Sequence, residues 1–173
     1  SNLLNYSLSK KSLLFWLTKL SSKLKVINVV LEHVYGAYDS DTKFVENMIQ
    51  NIAVQRVPRI SLTHGHQKRD FIYLEDVVSA YLTLVKYGRT HNFLLKTFEL
   101  GSGQCTQIRD FSEKIKSLSN SPTILDFGDI PYRADEIMTS SADISQLQGL
   151  GWSPTISVPE GLGRILNEYK VKQ

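Results

Sequence analysis

The chain has 173 residues, 42% of them hydrophobic and 21% charged, which is enough apolar content to bury one globular core and too much for a disordered chain. The formal net charge of +3 is spread so that no run of Lys and Arg exceeds two residues. That argues against a nucleic-acid partner and leaves room for a small anionic ligand. Cys105 is the single cysteine, which excludes an internal disulfide and a thiolate metal cluster and makes the cytoplasm the expected compartment.

In chain order, residues 5–22 lack Gly and Pro, and apolar residues cover almost every face between Leu13 and Leu17. This spacing predicts a helix buried on more than one side, against a sheet and against a partner subunit. The apolar run is too short to cross a membrane, and Lys19, Lys23 and Lys25 follow it without a cleavage site, so neither a span nor a signal peptide is expected. Lys25 to Leu31 reads as a central parallel strand, ending in a strand-exit loop over Glu32-His33-Val34-Tyr35-Gly36. A helix is expected over Lys43 to Ala53, then a short strand over Val57 to Thr63, a turn at His64 to Lys68, and a brief strand at Phe71-Ile72-Tyr73.

Glu75 to Tyr87 has acids in its first turn and a lysine in its last, a helix stopped by Gly88. Thr97 to Leu100 is the next strand, and Gly101-Ser102-Gly103 turns it into an amphipathic helix over Gln107 to Leu118, with Thr106 as its cap. A strand at Thr123 to Phe127, a loop at Gly128 to Glu136, a short helix at Asp143 to Leu147 and a closing helix at Val158 to Tyr169 complete the pattern. Alternating strands and helices without repeats or a composition-marked linker give an α/β class.

Four clusters carry candidate chemistry. Tyr6 and Lys10 stand one helical turn apart, so an ammonium neighbours a phenol and favours its ionised form. Composition alone yields about 0.6 such pairs, so spacing by itself proves nothing and favours two solvent-facing residues in a first turn. Gly101-Ser102-Gly103 is not a dinucleotide loop, because its third glycine position is Thr106. His64-Gly65-His66 lacks a third ligand at metal spacing, so no metal site is expected. Arg69 at a strand start and Arg133 in a distant loop could clamp a diphosphate bidentately, or form surface ion pairs.

These pieces stand in one order: Tyr6-x-x-x-Lys10, Leu31-Glu32-His33-Val34-Tyr35-Gly36, Lys43-Phe44-Val45, Leu62-Thr63-x-Gly65-x-Gln67-x-Arg69-Asp70-Phe71-Ile72-Tyr73, Leu100-Gly101-Ser102-Gly103, Tyr132-Arg133-x-x-Glu136, Ala142-Asp143 and Leu150-Gly151-Trp152. The ordered set resembles the C-terminal half of the extended short-chain dehydrogenase/reductases that act on nucleotide sugars, the NAD-dependent epimerase/dehydratase family. The Glu-His-Val-Tyr-Gly and Lys-Phe pattern looks most like the CDP-abequose or CDP-paratose synthase type, which reduces a CDP-4-keto-deoxyhexose with NAD or NADP.

The resemblance implies the C-terminal part of a Rossmann-type parallel sheet plus a small α/β substrate-binding lobe. Residues 1–36 would supply the last catalytic helix and strand, and 37–173 mainly the lobe, with 69–100 returning to the sheet. Tyr6 would be the acid/base at the sugar O4, and Lys10 would depress its pKa and hold the nicotinamide ribose. Arg69 and Arg133 would bind the diphosphate, with Glu136 near the ribose and Phe71 against the base. His33, Lys43 and Phe44 would line the nucleotide-sugar cleft, His33 on the cofactor side as well.

A 4-epimerase, a 4,6-dehydratase and a non-catalytic binding module share this scaffold and stay open. The family's glycine-rich cofactor turn and catalytic Ser/Thr lie upstream of the tyrosine, so a fragment inactive by itself is the expectation. Val30 and Ala37 depart from the family pattern, where arginine and proline are usual. Pairing through the first helix would make a homodimer.

Overall fold

The computed structural model describes residues 2–171 of the chain. Its elements are α1 (Asn2–Leu20), β1 (Val26–Leu31), β2 (His33–Tyr35), α2 (Phe44–Ile49) running into a π-helical turn (Gln50–Val54), β3 (Arg59–Leu62), β4 (Lys68–Tyr73), α3 (Leu74–Thr90), β5 (Leu95–Leu100), β6 (Cys105–Gln107), α4 (Ile108–Ser119), β7 (Ile124–Phe127), β8 (Thr139–Ser140), α5 (Ser145–Gly149) and α6 (Val158–Val171). The α/β class holds. Three small sheets divide the strands: β1 with β5, β2 with β4 and β6, and β3 with β7, while β8 joins β4.

The pairings are parallel except that of β4 with β6. The β1–β5 register runs from Val26 opposite Leu95 to Leu31 opposite Leu100. α3 is the crossover that returns the chain to this pair, as parallel strands require. Its Val77, Ala80 and Leu84 are buried with Phe98, Leu100 and Trp152 in one core cluster. A second cluster gathers Tyr35, Met48, Ile49, Ile52, Phe71, Phe111, Ile115, Leu162 and Ile165 from β2, α2, the π turn, β4, α4 and α6. In α4, Ile108, Phe111, Ser112 and Ile115 recur at three- and four-residue steps and make its buried face.

Several local expectations give way to tertiary contacts. The loop after β1 contains a strand, β2, because His33, Val34 and Tyr35 pair with Phe71, Ile72 and Tyr73. Gly88 does not stop α3, which continues to Thr90; a glycine inside a helix costs only about 1 kcal/mol, and Gly88 lies close against Ile27. Thr106 is no helix cap: it lies in β6, and Gln107 holds the N-cap position without a side-chain cap bond. The helix expected over residues 43–53 changes to π geometry at Gln50. In the single chain Leu13, Leu14, Phe15 and Trp16 of α1 are exposed.

Two buried aspartates fasten the loops. Asp70, fully buried on β4, accepts from Ser102 N and Oγ at 2.6 Å each, from Gly103 N at 2.9 Å and from Ala142 N at 3.2 Å. Asp76 in the first turn of α3 accepts from Thr155 N and Oγ1 at 3.0 and 2.9 Å and from Ile156 N at 2.9 Å. Ser102 and Gly103 of this turn therefore give their amides to Asp70 rather than to a phosphate.

Candidate functional site

Gln67, just before β4, and Arg69 and Phe71 within it stand at alternate positions and line one cleft. That cleft, of about 420 Å³, has walls that include His33, Phe44, Thr63, Gln67, Arg69, Phe71, Ile130, Arg133 and Glu136. The loop carrying Arg133 and Glu136 is anchored at its start by Gly128, whose φ of +98° is open to glycine. A Cβ there would meet the His64 ring at 2.8 Å. The loop is anchored further on by Tyr132, whose hydroxyl accepts from His66 N at 3.0 Å.

Arg69 is mostly buried and donates to Glu136 Oε1 at 2.6 Å and to Lys68 O at 2.9 Å. The cation expected to grip a diphosphate is thus held by the carboxylate expected at the ribose. Arg133 is exposed at the same cleft. Phe71 stacks on Phe111 with centroids 4.0 Å apart and on Phe44 at 6.5 Å, making an apolar wall beside the arginine.

A second cleft of about 440 Å³ adjoins the first, sharing His33, Phe44 and Phe71 with it and adding Tyr6, Glu32, Asp39 and Lys43. Tyr6 stands at this end, and the Lys10 ammonium lies 5.2 Å from its ring centroid. Lys10 lines neither cleft. His33 Nδ1 sits 3.3 Å from Glu32 Oε2, and Glu32 also accepts from Ser140 Oγ at 2.8 Å, which fixes the imidazole edge-on to Phe71. Lys43 pairs with both Asp39 oxygens, at 2.8 and 3.0 Å. Burial raises the Asp39 carboxyl, but the bonds from Lys43 and Ser40 N outweigh it and leave the group below the usual carboxylate range.

Eight of the nine candidate residues therefore line two adjoining clefts, and Lys10 lies one turn from the eighth. Sequence reading counted Thr63 and Gln67 among the motif residues but gave them no role; their side chains bond each other at 3.1 Å in the cleft wall. It also passed over the structural role of Asp70, although a carboxylate leading the apolar run Phe71-Ile72-Tyr73 is a legible signal. His64 and His66 stack 5.9 Å apart. Among the described residues no group of three or more His, Cys, Asp or Glu side chains is arranged to hold a metal ion, and no helix is long and apolar enough to cross a membrane.

Known proteins share this architecture. CDP-abequose synthase from Salmonella muenchen is 38% identical over 141 residues, covering 82% of this chain and 47% of that protein. CDP-abequose synthase from Salmonella typhimurium is 32% identical over 145 residues, covering 83% and 48%. The chain spans about half the length of these curated relatives. Among solved structures, RMD from Pseudomonas aeruginosa complexed with NADPH superposes with a TM-score of 0.84 at 20% identity, covering 97% of this chain and 57% of that one. UDP-glucose 4-epimerase from Thermotoga maritima with UDP-glucose gives 0.80 at 23%, covering 96% and 53%. These two likenesses show a shared Rossmann-type fold. Residues 5–94, just over half of the chain, match the family model described as "NAD dependent epimerase/dehydratase family", and the chain belongs to that family.

Proposed function

We propose that the chain supplies the substrate-binding part, with the catalytic tyrosine, of an enzyme that reduces a CDP-4-keto-deoxyhexose. The carrying observation is the pair of adjoining clefts, with Arg69 and Arg133 at one end, Tyr6 at the other and His33, Phe44 and Phe71 common to both. A diphosphate between the arginines would exchange the Arg69–Glu136 pair for a charge-assisted fork and free Glu136 to accept from ribose hydroxyls. The pyrimidine would lie near Phe71, and the sugar would extend past His33 and Phe44 toward Tyr6.

A nicotinamide cofactor, NAD or NADP, supplies a hydride for C4 of the sugar when bound. The residues present fit such a group in one respect: Tyr6 borders the cleft, and the Lys10 ammonium a turn away would be a second donor for ribose hydroxyls. Tyr6 donates its proton to the sugar O4 as the carbonyl becomes a hydroxyl. Lys10, by its positive charge, stabilises the phenolate left behind. Glu32 holds His33 through Nδ1, so the other ring nitrogen is available to a sugar hydroxyl. The names of the two CDP-abequose synthases support cytidine and reduction over the other chemistries.

In this reading 1–36 with 69–100 forms the cofactor-side sheet and the rest the substrate lobe, in keeping with the β1–β5 pair and the two core clusters. A homodimer through α1 also belongs to it, supported by Leu13, Phe15 and Trp16 being 54%, 58% and 63% exposed.

Calorimetric titration with CDP, UDP and dTDP tests the site. CDP should bind best, and Arg69→Ala should weaken it about 10- to 100-fold, the worth of a charge-assisted bond. Absence of affinity for all three, or an Arg69→Ala variant that binds as well as the parent, would refute the assignment.

A further inference from the structure

α3 is apolar on two sides. Val77, Ala80 and Leu84 face the core, and Asp76 beside them is bonded to Thr155 and Ile156. Leu74, Val78, Tyr81, Leu82 and Val85 recur at the four- and three-residue steps of a second face. All five are between 45% and 60% exposed. A surface helix ordinarily turns polar residues outward, and a contiguous apolar stripe rimmed by charge marks an interaction site. None of the five lines either cleft, so the stripe has no part in the nucleotide site.

The charges at its two ends are opposite. Glu75 stands in the first turn of α3, and Lys86 and Arg89 stand toward its end. Glu75 accepts from Arg164 at 2.6 Å through Oε2 and keeps 63% of its side chain exposed. Lys86 and Arg89 are exposed and enter no ion pair among the described residues.

We infer that the stripe is covered by α3 of a second copy, lying antiparallel across it on a two-fold axis between Tyr81 and Leu82. About that point Val78 of each copy falls opposite Val85 of the other, and Tyr81 opposite Leu82. The pattern thus reads the same from both copies, as an isologous interface requires. The same rotation brings Glu75 of each copy to within about one helical turn of Lys86 and Arg89 of the other. A parallel pairing would instead set each of these charges against its own copy, which is repulsive. Five apolar side chains a side are far fewer than the roughly 20–30 residues that a standard interface contributes. Association through α3 is therefore weak, and it adds to pairing through α1 without depending on it.

The test is sedimentation of the full chain from the micromolar to the millimolar range, in the parent and in a Phe15→Asp, Trp16→Asp background that removes pairing through α1. The average mass should rise with concentration toward the millimolar end in both. Val78→Glu with Leu82→Glu, both at exposed positions, should abolish that rise. Lys86→Glu should weaken it a few-fold, as an exposed charge would. Adding Glu75→Lys to Lys86→Glu should restore it, because the two charges then exchange places across the two-fold. Cross-linking checks the geometry in a Cys105→Ser background. Leu82→Cys, beside the axis, should form a disulfide between copies under mild oxidation. Leu74→Cys, about 22 Å from its own copy along the helix direction, should not. A mass independent of concentration in the Phe15→Asp, Trp16→Asp background, a rise that survives Val78→Glu with Leu82→Glu, or cross-linking at Leu74 as ready as at Leu82 overturns the inference. Failure of the α1 pairing alone shows differently: the parent and that background then behave alike, and the rise that depends on Val78 and Leu82 persists.

Discussion

Replacing Asp70 by alanine should cost more stability than any surface change in this protein. The carboxylate is completely buried and receives four hydrogen bonds, three from the backbone amides of Ser102, Gly103 and Ala142. Truncation orphans those three amides and the Ser102 hydroxyl around the space the carboxylate leaves. An unmet buried donor costs about 1–3 kcal/mol. The two bonds at 2.6 and 2.9 Å count near the middle of that range and the 3.2 Å bond at its foot, for a total of about 4–6 kcal/mol. That is a large share of the roughly 5–15 kcal/mol by which domains are stable.

Asp70→Asn keeps one acceptor oxygen but sets an NH₂ against amide donors on the other side, so it should recover less than half of the loss. Urea unfolding followed by far-UV circular dichroism measures both variants, and hydrogen exchange should speed up at Ser102, Gly103 and Ala142. An alanine variant within about 1 kcal/mol of the parent would refute the argument, because it would mean that water or a local shift satisfies the amides at little cost.

Three further outcomes are expected. Glu136→Gln removes the charge opposing the mostly buried Arg69 at 2.6 Å, so urea unfolding should show a loss of about 1–3 kcal/mol, toward the low end because the cleft admits water. At alkaline pH, burial raises the phenol of Tyr35, with Tyr73, Asp76 and Glu160 adding to it, and burial likewise raises Tyr73 and Tyr169. Their contribution is complete below the unfolded tyrosine value of about 10 and is lost as pH rises through the folded values. Unfolding should therefore ease above about pH 10, with a late-titrating set of tyrosines in the 295 nm absorbance of the folded protein. Finally, Phe15→Asp with Trp16→Asp should convert a dimer to a monomer in light scattering; a parent that is already monomeric at high micromolar concentration contradicts pairing through α1.

Where the chain's own spacing carried the reading, it did so through period. The β-branched run Val26–Leu31 and the three- and four-step apolar pattern of α4 declare strand and helix without any partner. β2, β6 and β8 have two or three residues each, too few to show a period, and exist only because β4 lies alongside them. The continuation of α3 past Gly88 was hidden for the same reason, since the packing on Ile27 is a contact across 61 positions of chain.

The candidate site divides in the same way. The family resemblance carried by the order of motifs singled out Tyr6, Lys10, His33, Lys43, Phe44, Arg69, Phe71, Arg133 and Glu136, because the types and sequence of motifs survive without coordinates. What order could not reveal is that Arg69 is already gripped by Glu136, 67 residues away, that His33 is steadied by Glu32 and Ser140, or that Glu46 hides an unpaired oxygen. Periodicity and motif are local properties of a chain. Pairing between distant charges depends on the path the backbone takes around its core, and that path is decided by all of the buried contacts together.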